Sequence, residues 1–135
     1  MAEELTRWAG VREPCHVLWT GHAVSAHLAA GREQDARRVA DWVQECSSRL
    51  ICHWPRISTT VARAQLADHD GDDVQAARHF ERALALHAEV DLPLQRIEAL
   101  IAYGRFLRRR GRPDEARPAL AAAAGLAQAA SEGIA

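Results

Sequence analysis

From residue 94 the apolar and small positions Leu94, Ile97, Leu100, Ile101, Gly104 and Leu107 recur at spacings of three and four, which marks one face of an α-helix. Pro93 suits the first turn of that helix, where no backbone donor is needed, and Asp91 is a candidate cap. The pattern stops at Gly111, behind a turn of arginines that suits the negative end of a helix dipole. It resumes at Pro113, with Asp114 and Glu115 placed to open a partner helix.

The same plan recurs twice upstream. A helix is expected from about residue 55 to 69, a turn at Gly71, and a second helix from about 72 to 89. The first copy runs from about 14 to 30, turns at Gly31, and continues from about 33 to 49. Gly31, Gly71 and Gly111 stand 40 residues apart, and Ala36, Ala76 and Ala116 keep step five residues later. Further on come Ala40, Phe80 and Leu120, then Val43, Ala83 and Ala123; upstream the register gives Val24, Ala64 and Gly104. A fixed period of this kind predicts stacked copies of one supersecondary unit. The expected fold is an all-α solenoid of three antiparallel helix pairs. Its repeats cover about 14–53, 54–92 and 93–130 of a single domain, 1–135, after a lead-in over 1–13.

That register settles how to read DHDGDD at residues 68–73. A calcium loop of the EF-hand type needs glycine at its sixth position and glutamate at its twelfth. Counted from Asp68, the glycine is fourth and the twelfth residue is His79. The segment is instead expected to be the turn of the second repeat, its later aspartates capping the next helix.

The order small, apolar, Gly, Ala, aromatic or Leu, Ala resembles the tetratricopeptide (TPR) helix pair, with Gly104, Leu107, Gly111, Ala116, Leu120 and Ala123 as the matching residues of the third copy. The period of 40 exceeds that family's 34, and the usual early tryptophan is absent. The resemblance implies a right-handed solenoid whose first helices line a groove. Carried over position by position, it places Ser58, Gln65, Glu98, Arg105, Arg108 and Arg109 there. LPLQRIEALIAYGRFLRRRGRPDEARPAL, residues 92–120, is similar more narrowly to the helical-repeat region of large ATP-dependent LuxR-type (MalT-like) transcriptional regulators of GC-rich bacteria. GHAVSAHLAAGREQDARRVADWV also resembles that region, so the likeness covers nearly the whole chain. It implies a protein–protein or ligand interaction module of such a regulator. No phosphate-loop motif occurs, and the chain ends at EGIA before a helix-turn-helix could begin. An excised segment or a stand-alone TPR-like adaptor is therefore expected.

Charge and composition narrow the chemistry. All 17 basic residues are arginines, which excludes a Schiff-base or phosphate-loop lysine. With a net charge of -1, general basicity does not draw the domain to nucleic acid, and direct binding there is not expected. The alternative of a DNA-contacting domain rests on the cluster Arg105–Arg112. FLRRRGR otherwise reads as a solvated helix end. No apolar run approaches membrane-spanning length and no secretion signal opens the chain, so a cytoplasmic protein is expected.

Three cysteines, Cys15, Cys46 and Cys52, fit reduced thiols. Their spacing, even with His16 and His53, is not that of a zinc site. No catalytic serine or cysteine setting is visible, so no enzyme, metal or cofactor is expected. Trp8, Trp19, Trp42 and Trp54 are expected mostly in packing, with Trp8 the best placed for partner contact. The expected partner is a protein, or an acidic peptide or small-molecule effector, held by the groove arginines through forked hydrogen bonds. The apolar last helix, ARPALAAAAGLAQAA, also predicts a homodimer, because a terminal repeat leaves one face uncovered.

Overall fold

A computed structural model describes residues 20–47 and 53–134. Six helices and no strand occur among them: α1 (Thr20–Ala29), α2 (Glu33–Ser47), α3 (His53–His69), α4 (Asp73–His87), α5 (Pro93–Arg109) and α6 (Pro113–Ile134). The first-helix expectation over 14–19, the lead-in, Trp8, Trp19, Cys15, His16 and Cys52 lie outside the described residues, as do the side chains of Cys46, His53 and Trp54.

The three expected turns share one geometry. Gly31, Gly71 and Gly111 adopt φ of +72°, +80° and +71°. Their N–H groups donate to the carbonyls of Leu28, Asp68 and Arg108, and the next N–H in each turn reaches back to His27, Ala67 and Leu107. This paired closure satisfies the last carbonyls of a helix and requires a residue in the left-handed region. The following helix then opens on acids: Glu33 and Asp35 in α2, Asp73 in α4, Asp114 and Glu115 in α6. DHDGDD is the second of these turns, with the Asp72 carboxylate accepting from the Gln75 N–H at 3.2 Å.

Some local expectations change. Helix α5 starts at Pro93 with Leu92 at the cap position and no side-chain cap, so Asp91 does not fill that role. Helix α3 begins at His53, two residues before Pro55. Helix α6 runs unbroken through Pro118 and Gly125 to Ile134, beyond the expected end near 130.

Backbone contacts group the chain into two compact units, one up to His79 and one from Phe80 onward. The boundary falls inside α4. In the first unit α1, α2 and α3 pack on one another around Val24, Ala36, Val39, Ala40, Val43, Ala62 and Leu66, with Trp42 against the edge. Ala36, Ala40 and Ala64 are fully buried. Exposed polar groups fasten the same helices. Arg37 Nη2 contacts Glu33 at 2.7 Å and Asp70 at 2.6 Å, and Arg63 reaches Asp41 at 2.7 Å.

In the second unit α5 packs along α6. Leu100, Ala119 and Ala123 form the buried seam, flanked by Leu84, Ile97, Ile101, Tyr103 and Leu126. Gly104 permits the close approach, since a Cβ there would lie 2.6 Å from Leu120 Cδ2 and 2.7 Å from Leu120 Cγ. Phe80, Tyr103 and Phe106 add an aromatic cluster, with the Phe80 and Phe106 ring centres 5.5 Å apart.

Candidate interaction surface

The inner face of α5 is set by burial: Ala99, Leu100, Gly104, Phe106 and Leu107 all point into the fold. At 100° of rotation per residue, this leaves Leu94, Glu98, Arg105, Arg108 and Arg109 together on the outer face. All five are exposed. Tyr103 helps to hold the helix in that rotation. Its ring stacks with Phe106, its hydroxyl donates to Glu81 Oε1 at 3.4 Å, and burial beside the Glu81 carboxylate pushes its pKa up.

Arg105, Arg108 and Arg109 line an open depression of about 370 Å³. Spacings of three and four put the three guanidinium groups on neighbouring turns. Among the described residues Arg105 and Arg108 form no ion pair. The rest of the arginine run is occupied. The Arg110 guanidinium lies 5.9 Å from the Phe106 ring centre, within cation–π range. Arg112 grips both oxygens of Glu115, with Nε at 2.7 Å from Oε1, and its hydrogen bonds lower the Glu115 pKa. Arg117 lies 3.3 Å from Asp114.

The other predicted groove residues have different settings. Ser58 is only 3% exposed, so a partner approaching the surface would not reach it. Gln65 is half-buried and donates from Nε2 to Ser25 Oγ at 2.7 Å, while its Oε1 is enclosed without a partner. Both stand on α3, before the boundary at His79. Glu98 shares the α5 face with the arginines.

Leu94 was the residue that periodicity misplaced. It belongs by spacing to the apolar stripe, yet it is 63% exposed. Its angle on the helix matches Glu98 and Arg105 more closely than Leu100 or Leu107. Only it and Val74 are large apolar residues left exposed among the described residues. No group of three or more His, Cys, Asp or Glu residues able to hold a metal ion occurs among them, and no described helix is long and apolar enough to cross a membrane.

Comparison with family models, curated proteins and solved structures finds no match to this chain.

Proposed function

We propose that the chain is a non-enzymatic interaction module, a right-handed TPR-like solenoid of three helix pairs serving a LuxR-type transcriptional regulator, that binds an acidic partner. Support for the repeat comes from three turns of one geometry spaced 40 residues apart. Support for the regulator is the motif carried by residues 92–120. The observation that carries the binding role is the open depression lined by Arg105, Arg108 and Arg109. Guanidinium groups offer paired donors that match carboxylates, and their charge persists across physiological pH.

Calorimetry with an acetylated oligoglutamate peptide at low salt tests this reading. The wild-type chain should bind it, and Arg105→Ala combined with Arg108→Ala should weaken binding by about tenfold, since exposed charged contacts contribute up to about 1 kcal/mol each. Both side chains are exposed, so the fold should survive the change. Equal affinity for wild type and double variant would remove the arginines from the interface.

A further inference from the structure

We infer that the acidic partner is a polypeptide carrying an apolar side chain beside its acidic cluster, read by Leu94 and the three arginines along one face of α5. This rests on the proposed acidic-partner function and adds the second half of the recognition pattern. Leu94 and Arg105 lie on the same side of one helix, about 16 Å apart along its axis at 1.5 Å per residue. That span equals about five residues of an extended chain. One rigid helix therefore presents an apolar contact at its start and a positive depression at its end.

Helix rotation turns Leu94 away from the buried seam and onto the arginine face. Its 63% exposure contrasts with Leu100 and Leu107, which are 7% and 1% exposed on the same helix. A lone exposed leucine is ordinary on a protein surface. Here it is aligned with Arg105 and Arg108, which have no ion-pair partner among the described residues. A partner's apolar side chain on Leu94 would be removed from water while its carboxylates meet the guanidinium fork.

The same face argues against a nucleic-acid strand. Glu98 stands between Leu94 and Arg105 on that face, so the basic cluster does not extend along the helix. The net charge of -1 supplies no compensating basic field. A polypeptide can place a neutral or basic residue opposite Glu98, whereas a phosphodiester chain carries negative charge at every step.

Calorimetry on the full chain tests the inference with four acetylated peptides and a single-stranded oligonucleotide. The first peptide bears one leucine and, about five residues on, three glutamates; the second reverses that order. The third replaces leucine by alanine, and the fourth replaces the glutamates by glutamines. One of the first two should bind about fivefold more tightly than the alanine peptide, by partial burial of one aliphatic side chain. Leu94→Ala should erase that preference without touching the glutamate requirement. If Leu94→Ala and the alanine peptide leave affinity unchanged while the arginine variant loses it, the apolar half of the inference is overturned and the acidic-partner reading stands. If no peptide binds at low salt, both fall. Tighter binding of the oligonucleotide through the same arginines would overturn the choice of a polypeptide.

Discussion

Gly71 isolates the backbone as the cause of a turn. Its φ is +80°, and an added Cβ would meet no atom within 4 Å, so a side chain there would strain the conformation without clashing. Gly71→Ala should destabilise the fold by about 1–2 kcal/mol, and Gly71→Asn by less, because asparagine tolerates the left-handed region. Equal urea midpoints for wild type and Gly71→Ala would show that the turn does not require this geometry. His87 poses the opposite problem, a polar group with nowhere to go. It is 1% exposed, and neither ring nitrogen has a hydrogen-bond partner. Burial, assisted by the positive charge of Arg96, lowers its pKa below the ordinary 6.5. The folded state therefore prefers the neutral ring. The stability this confers is complete above about pH 6.5 and is lost as pH falls below it, since the unfolded chain takes up the proton more readily. Urea unfolding one unit above and below about pH 6.5 should show a midpoint drop in wild type that His87→Met largely removes. The same drop in both proteins would assign the slope to other groups.

At the scale of elements, α5 and α6 approach through a glycine whose role was visible only as smallness. Gly104→Ala gains about 1 kcal/mol of helix propensity, but its methyl group must displace Leu120. Overpacking typically costs about 1–3 kcal/mol, so a net loss is expected, softened by the half-buried setting of Leu120. In a double-mutant cycle, Leu120→Ala should recover part of that loss when combined with Gly104→Ala. Additive effects would mean that the two side chains do not meet. Helix α6 is unevenly held along its length. Ala116, Ala119 and Ala123 are buried and Leu126 is partly buried, whereas residues 127–133 are exposed all round. Amide exchange should be slow from about 116 to 126 and faster beyond, because isolated helical turns are marginal in water. Uniform protection to the end of the helix would reveal a covering surface.

Across the molecule, charge and apolar burial carry separate tasks. The ion pairs that fasten α2 to α3 have half-exposed partners: in the contact between Arg37 and Asp70 the side chains are 40% and 43% exposed. Such pairs typically contribute about 0–1 kcal/mol each, whereas the buried valines, leucines and phenylalanines contribute about 1.5–3 kcal/mol each. Raising sodium chloride toward about 1 M, where the Debye length is about 3 Å, should leave the urea midpoint nearly unchanged while abolishing acidic-peptide binding. A large loss of stability in salt would show that the surface network, rather than the apolar seams, holds the helices together.

The helices and their turns were legible because both are local properties. A helical spacing, a glycine free to take positive φ and an acid at the next helix start need no knowledge of distant residues, and all three turns formed where the 40-residue register put them. The smallness of Ala36, Ala76 and Gly104 was equally visible, though what they make room for was not. Which face residues meet solvent was decided by the fold, because periodicity supplies an angle around the helix without saying what stands opposite at each turn. Ser58, expected to face a partner, is enclosed, whereas the exposure of Leu94 follows from its angle beside Glu98 and Arg105. Arginine-rich sequence likewise left open which guanidinium groups would be engaged. The contacts of Arg110 with Phe106 and of Arg112 with Glu115 are local, four and three residues apart, whereas packing of Leu100, Gly104 and Leu107 against the fold decided that Arg105, Arg108 and Arg109 line an open depression.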